Sequence, residues 1–208
     1  ANDYFSVLGQ LQAFAASPTT ALVRVEWNDA VAVKRLLDLG APGLLFPMIQ
    51  SVEEAEAAVA ATRYPPRGVR GVSGATRATA FGRITDYVAR VEEETAVLLQ
   101  LETRAAVEQA EAIGAVDGVS GIFFVPADIA ADIGKLGKPM DPDVWALIKP
   151  AAQKLIAKGM PVGTLVTDPT FAADLLNEGF TFVAIATDTG LLARAADAAL
   201  AQTKGALQ

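Results

Sequence analysis

Four polar side chains interrupt apolar stretches of this sequence, in each case at or just beyond the end of a stretch. They are Arg24, Gln100, Glu102 and Asp128. Charged groups are seldom buried without partners, so these positions need an explanation. Gln100 and Glu102 are two residues apart, a spacing that places both on the same face of a strand.

These residue types allow two interpretations. Two carboxylates can chelate a divalent cation, and a neighbouring arginine can hold a negatively charged substrate oxygen. The same side chains can instead form an internal ion-pair network, Arg24 with Glu102 or Asp128, whose role is structural. Spacing alone does not separate a metal site from such a network.

The composition narrows the function classes. With no histidine, these residues cannot form a Ser-His-Asp or Cys-His catalytic centre or a His-rich zinc or iron site. With no cysteine there are no disulfides or thiolate sites, which fits a cytoplasmic protein. A bound metal would therefore be held by oxygen, as Mg²⁺ or Mn²⁺ is. A net charge of −7 argues against nucleic-acid binding, and no apolar run is long enough for a membrane span.

Short apolar runs alternate with longer segments of helical period, which is typical of one parallel α/β domain over residues 1–208. Functional sites in such folds form at the carboxyl ends of strands, where the four polar side chains lie. The predicted strands are 20–25, 43–48, 96–102, 121–126, 161–166 and 181–187.

Helix signals separate these strands. Ser51 followed by Glu54 predicts a capping box that opens a helix at 52–62. Asp141 and Asp168 each precede a proline, an arrangement that predicts a capped helix start.

The number of strands leaves two architectures open. A closed (β/α)₈ barrel needs eight strands, and an open sheet accommodates six. Leu8, Leu11 and Phe14 recur at helical spacing ahead of the first strand, so the sequence opens on a helix. We favour a barrel that lacks its first two strands in this sequence.

Four longer stretches carry a family resemblance: VRVEWND (23–29), LLDLGAPGLLFPMIQSVEEAEAAVAATRYPPRGVRG (36–71), LLQLETRAAV (98–107) and FFVPADIAADIG (123–134). Together they resemble the HpcH/HpaI aldolase family. The resemblance implies a (β/α)₈ TIM barrel of the phosphoenolpyruvate/pyruvate type. It also implies a class II pyruvate aldolase, a lyase that cleaves 4-hydroxy-2-oxo acids to pyruvate and a small aldehyde such as succinic semialdehyde, or joins them. The family is usually a homohexamer, a trimer of dimers, which would exchange the helix at 190–203 between subunits.

The resemblance also implies roles for the polar positions. Glu102 and Asp128 match the two protein ligands of a divalent cation, which would be Mg²⁺, Mn²⁺ or Co²⁺. Arg24 matches the arginine that steadies the enolate oxygen of pyruvate, and Gln100 matches a neighbour of the ligand Glu102. The backbone amides of Ala127 and Asp128 match the positions that hold the pyruvate carboxylate.

Two further substrate contacts follow from the resemblance. Leu165 matches a hydrophobic position of the aldehyde pocket. The Gly/Arg-rich interval 65–84 is long for a compact domain, and such loops are often functional. The family places part of it near a neighbouring active site, which makes Arg70 a weaker candidate for binding an acceptor carboxylate. Alternatively, the loop arginines form ion pairs or face solvent.

The sequence departs from the family at two places that affect the chemistry. The family's catalytic base is a histidine in an Asp-Gly-Glu-His turn, and Ala1-Asn2-Asp3 looks like the continuation of that turn. We therefore expect the histidine immediately before residue 1. Val125 stands where the family has a glycine, which predicts an altered pyruvate pocket.

Three alternative functions stay open. A 2-dehydro-3-deoxyglucarate-type aldolase differs only in the aldehyde. A catalytically degenerate barrel that acts as a binding or assembly subunit would fit Val125 and the absence of histidine. A CoA-thioester lyase of the citrate-lyase-β type also uses a Glu/Asp metal pair, although the ATRYPPRGVRG loop argues against it.

Overall fold

Six parallel strands form one curled sheet in the computed structural model, which describes residues 2–206. Each strand pairs with the next one along the chain. The strands are β1 (Val23–Arg24), β2 (Gly43–Phe46), β3 (Ala96–Leu101), β4 (Gly121–Phe124), β5 (Val162–Leu165) and β6 (Phe182–Ala184). The predicted parallel α/β architecture is confirmed. The described residues form a half-barrel with β1 and β6 at its edges, and they do not show the closed eight-stranded barrel.

Helices connect the strands and precede the first one. They are α1 (Tyr4–Phe14), α2 (Ala30–Asp38), α3 (Val52–Thr62), α4 (Tyr87–Glu94), α5 (Arg104–Glu108), α6 (Ala110–Gly114), α7 (Pro126–Asp132), α8 (Pro142–Ala157), α9 (Pro169–Asn177) and α10 (Asp188–Gly205). Residues 63–86 contain neither helix nor strand, so the predicted long loop is confirmed. No helix within residues 2–206 is long and apolar enough to cross a membrane.

Side chains near the helix starts make most of the bonds that the sequence predicts. Asp141 and Asp168 accept hydrogen bonds from backbone amides in the first turns of α8 and α9. Ser51 Oγ accepts from the Glu54 amide at 3.2 Å, which is one half of the predicted capping box. The other half is shifted by one residue, because the Glu54 carboxylate accepts from the Gln50 amide at 2.7 Å.

The core lies between the sheet and the helices that cover its outer face. β3, β4 and β5 contact α3, α6 and α8, respectively. All four residues of β4 are buried, as expected for a strand covered on both sides. Full burial of a large apolar side chain contributes on the order of 1.5–3 kcal/mol to folding stability. This buried layer therefore stabilises the sheet, and the sheet positions the residues at its strand ends.

Candidate active site

Arg24 and Gln100 project from the same face of the sheet. The register pairs Arg24 with Leu45 and Leu45 with Leu98, and Gln100 follows two residues after Leu98. Since side chains alternate across a strand, Arg24, Gln100 and Glu102 share the inner face. Arg24 Nε donates a hydrogen bond to Gln100 Oε1 at 3.1 Å. The sheet therefore brings these predicted site residues together at its carboxyl edge.

Glu102 is buried directly after β3, and its carboxylate is held by the turn that follows the neighbouring strand. The residue is only 5% exposed. The Met48 amide, just beyond β2, donates to Glu102 Oε2 at 3.1 Å. Burial of a charged carboxylate is costly unless a counter-charge or a donor compensates it.

Asp128 brings a second carboxylate to this edge from the first turn of α7. The pKa of Glu102 is raised, first because burial disfavours its charged form and second because the Asp128 charge repels it. The Met48 hydrogen bond and the Arg24 charge lower that pKa by smaller amounts. A site where two carboxylates repel each other favours a bound cation.

The arrangement fits a divalent metal that receives two ligands from these residues. Residues 2–206 contain no group of three or more acidic, histidine or cysteine side chains that could enclose an ion. Glu102 and Asp128 offer oxygen atoms only, the ligand type that Mg²⁺ and Mn²⁺ prefer. Substrate oxygens and water would have to supply the other ligands.

The purely structural ion-pair network does not form among the described residues. Arg24 donates to the neutral Gln100. The salt bridges of residues 2–206 do not join Arg24 to Glu102 or Asp128. The two carboxylates therefore keep their charge uncompensated by a direct ion pair, as a cation site requires.

The remaining predicted substrate positions lie at the same edge of the sheet. Ala127 and Asp128 occupy the exposed first turn of α7. Leu165 is the last residue of β5 and is 40% exposed. Val125 has an ordinary extended conformation with φ of −114°, so valine at this position causes no backbone strain.

Within one chain, the structure places Arg70 away from this site. Arg70 is 1% exposed and pairs with Asp38, the last residue of α2, at 3.0 Å. Its guanidinium also lies over the rings of Tyr64 and Tyr87, at 4.7 and 5.7 Å from their centroids. Helix α2 ends at the amino edge of the sheet, opposite the carboxylates. Arg70 therefore fixes the long loop onto α2 within one chain, and its contact with an acceptor at a neighbouring active site stays a prediction.

The sequence did not predict two groups beside the site, the Met48 backbone amide and the Thr164 hydroxyl. The Met48 amide is a backbone group, and nothing in the residue type of Met48 signals it. Thr164 is fully buried in β5 and donates from Oγ1 to the Phe124 carbonyl at 3.0 Å, just ahead of the turn that carries Asp128. A threonine in an otherwise apolar strand was the available signal for it.

Comparison with known proteins shows the family of this chain. The sequence profile of the HpcH/HpaI aldolase/citrate lyase family matches residues 2–195. The chain belongs to this family. The resemblance inferred from the sequence is thereby confirmed, and so is the expectation of a lyase of the aldolase type.

The relatives extend over almost the whole chain. A pyruvate aldolase of Rhizobium etli is 49% identical over 97% of this chain and 79% of its own length. A 4-hydroxy-2-oxo-heptane-1,7-dioate aldolase of Salmonella dublin is 46% identical over 97% of this chain and 77% of its own. A solved HpcH/HpaI family structure from Burkholderia cenocepacia superposes with a TM-score of 0.91 at 36% identity, over 98% of this chain and 81% of the other.

Proposed function

We propose that this family member is a divalent-metal-dependent aldolase that cleaves 4-hydroxy-2-oxo acids to pyruvate and a small aldehyde, or joins them. The observation that carries the proposal is the pair Glu102 and Asp128 at one sheet edge, with Arg24 held beside them by Gln100. The two aldolase relatives support the reaction class.

Each site residue has a proposed task. Glu102 and Asp128 hold the ion, which when bound supplies Lewis-acid polarisation of the keto group. Arg24 places its positive charge near the oxygen that becomes the enolate, and Gln100 fixes the direction of that guanidinium. The Ala127 and Asp128 amides face the substrate carboxylate at the start of α7. Leu165 lines the side where the aldehyde lies.

The C4 hydroxyl must lose its proton during cleavage, and we assign no base for this step among residues 2–206. The sequence contains no histidine. Arg24 cannot serve, because a guanidinium stays protonated in proteins. We therefore assign binding, orientation and charge stabilisation to the described residues.

Helix α10 supports a proposal about assembly. None of its described residues is buried. The apolar side chains of Leu191, Leu192 and Leu200 are each more than half exposed. Apolar side chains on an uncovered helix gain free energy when they pack against another surface. We propose that residues 190–203 pack onto a second copy in a homohexamer.

The predicted single domain also includes Ala1, Leu207 and Gln208, which lie outside the described residues.

The experiment that tests the function is pyruvate release by the full-length protein. The substrates are 4-hydroxy-2-oxo acids that would yield succinic semialdehyde or a hydroxylated aldehyde, with Mg²⁺, Mn²⁺ or Co²⁺ or with a chelator. Metal-dependent release that is lost in both Glu102→Gln and Asp128→Asn supports the proposal, and the preferred acid separates the heptanedioate activity from the glucarate type.

Other outcomes identify the alternatives. Metal binding without pyruvate release would favour a binding or assembly subunit whose pocket Val125 has altered. Turnover of a CoA thioester in place of the hydroxy-oxo acids would favour a citrate-lyase-type reaction.

A further inference from the structure

One side chain joins the helices that follow β3 and β4. Asp132, the last residue of α7, accepts a hydrogen bond from the backbone amide of Arg104, the first residue of α5, with 2.8 Å between Oδ2 and the nitrogen. Arg104 comes two residues after Glu102, and Asp132 comes four residues after Asp128. The bond therefore connects the segment that carries one carboxylate of the site to the segment that carries the other.

Asp132 does not favour the helix to which it belongs. It lies at the carboxyl end of α7, where the free carbonyl groups of a helix carry partial negative charge and disfavour a carboxylate. The amino end of a helix favours one. The first turn of α5 contains no acidic residue of its own, and Asp132 supplies that charge from α7. Such a conflict with local preference is expected where a contact between elements serves a function.

The Asp132 bond is one of two polar attachments of α7, and Asp128 lies between them. At the start of the helix, the Val125 amide donates to the carbonyl of Leu101, the last residue of β3, at 3.3 Å. Ile129 is fully buried and packs the middle of the helix against the core. Apolar packing is not directional, so it does not fix the orientation of α7. The two hydrogen bonds do, because they attach both ends of the helix to the segment around Glu102.

We propose that Asp132 is a positioning residue that sets the separation of Glu102 and Asp128 for a divalent ion. The inference rests on the proposed function, because it takes the two carboxylates as ligands. Mg²⁺ tolerates little deviation from an octahedron of short bonds, so its affinity depends on how closely the ligand positions are fixed before it binds. The charges of Glu102 and Asp128 repel each other. The Asp132 bond opposes the outward movement of α7 that this repulsion favours.

Three variants of the full-length protein test this role. Asp132→Ala removes the acceptor, whereas Asp132→Asn keeps an oxygen that can accept from the Arg104 amide. Asp117→Ala is the matched control, because Asp117 is an exposed aspartate that joins separate segments through Arg63 and Arg67. It precedes β4 and so lies at the amino edge of the sheet, away from the carboxylates. The Mn²⁺ dissociation constant and the free energy of unfolding without metal are measured for each variant.

We expect Asp132→Ala to weaken Mn²⁺ binding about tenfold, the lower end of the effects seen when a metal ligand loses its support. Asp132→Asn should bind Mn²⁺ nearly as tightly as the wild type, and Asp117→Ala should lose stability but keep the wild-type affinity. Wild-type affinity in Asp132→Ala, or an equal loss in Asp117→Ala, would overturn the inference. An equal loss in Asp132→Asn would overturn it as well, since the charge of Asp132 and not its hydrogen bond would then attract the ion.

Amide hydrogen exchange of the wild-type protein supplies a second measurement that needs no variant. The Arg104 amide has no acceptor within its own helix, so its protection reports the Asp132 bond. A bond that favours the ion must be favoured by the ion in return. Saturating Mg²⁺ should therefore slow exchange at Arg104. The Asp143 amide, which Asp141 holds at the start of α8, is the control and should not change. Unchanged exchange at Arg104 would overturn the inference.

The outcomes separate this inference from the proposed function. If the wild type binds no divalent ion and releases no pyruvate, the proposed function fails as well. If the wild type binds Mn²⁺ and releases pyruvate, and Asp132→Ala binds Mn²⁺ equally tightly, only the role of Asp132 fails.

Discussion

Arg24 and Gln100 are 76 positions apart in the chain, yet their side chains form a direct hydrogen bond of 3.1 Å. The bond directs the arginine to a neutral amide although two carboxylates lie at the same edge of the sheet. A guanidinium that paired with Glu102 or Asp128 would neutralise the charge that an ion needs. Gln100 thus keeps Arg24 close to the carboxylates without consuming their charge.

The first prediction concerns this bond. Gln100→Leu preserves the size of a buried side chain and removes the acceptor, so Arg24 becomes free to pair with a carboxylate. We expect kcat for pyruvate release to fall about 10–100-fold and Mn²⁺ affinity to weaken, the usual range for loss of such a supporting contact. A coupled assay for pyruvate at saturating Mn²⁺ measures the rate.

The control for Gln100→Leu is Gln153→Leu on the outer surface, where Gln153 donates to the Glu178 carbonyl. It makes the same chemical change away from the site and should keep the wild-type rate. Equal rates for wild type and Gln100→Leu would show that Arg24 needs no fixed orientation.

The second prediction concerns the cost of the buried carboxylate. Burial and Asp128 both raise the pKa of Glu102, so its charge opposes folding of the metal-free protein. Glu102→Gln should therefore raise the melting temperature of the metal-free protein, by about 2–4 °C for each kcal/mol gained in a domain of this size. The same variant should lose the further rise in melting temperature that Mn²⁺ gives the wild type.

Glu111→Gln is the control for both expected effects of Glu102→Gln, the higher melting temperature without metal and the lost response to Mn²⁺. Glu111 is a partly exposed helix residue paired with Lys158 and Lys154, which lower its pKa. Its substitution should not stabilise the protein and should leave the Mn²⁺ effect intact. A lower melting temperature for metal-free Glu102→Gln would contradict the prediction.

The third prediction is that metal affinity falls on acidification in a window set by Glu102. Protons and the ion compete for the carboxylate, so affinity is highest where Glu102 is charged and is lost as the pH falls through its pKa. Because that pKa lies above the ordinary value of 4.5, the loss should begin at a higher pH than for an exposed glutamate. Free Mn²⁺ measured by electron paramagnetic resonance from pH 8 downwards checks this. Constant affinity down to pH 4.5 would refute it.

The position of Glu102 and Asp128 at one edge of the sheet could be predicted because polar residues follow apolar runs at the strand ends; their role as ligands stays a prediction. Apolar runs identified all six strands, and their parallel order placed Arg24 and Glu102 at one edge. The burial of Arg70 could not be predicted, because a Gly/Arg-rich loop has the same sequence pattern whether its arginines are exposed or buried. Its burial depends on Asp38 and two tyrosines that only the folded chain brings together. The Met48 contact is a backbone amide and has no trace in residue type.

The fourth prediction concerns the inner face beside the site. Gly163 lies opposite Phe123 and Phe182 in the register, and a Cβ there would lie 2.8 Å from the Phe182 carbonyl oxygen. Gly163→Ala should therefore destabilise the protein by about 1–3 kcal/mol through overpacking. Gly9→Ala in α1 is the matched control, since nothing lies within 4 Å of the position that its added methyl group would occupy, and alanine favours a helix. Urea unfolding of both variants measures the difference, and equal stability would show that the sheet relaxes freely.

The last prediction separates a structural Arg70 from a substrate-binding one. Arg70→Lys keeps the charge but cannot reproduce a planar guanidinium that pairs with Asp38 and lies over Tyr64 and Tyr87. Removing one partner of a buried pair costs about 3–5 kcal/mol, and the retained charge should make the loss for lysine smaller. We expect a clear loss of stability with KM for the hydroxy-oxo acid unchanged at a temperature where the variant is folded. Arg83→Lys, in the exposed part of the same loop, should change neither quantity. A raised KM in Arg70→Lys without loss of stability would restore Arg70 as a substrate contact and would require the loop to open during turnover.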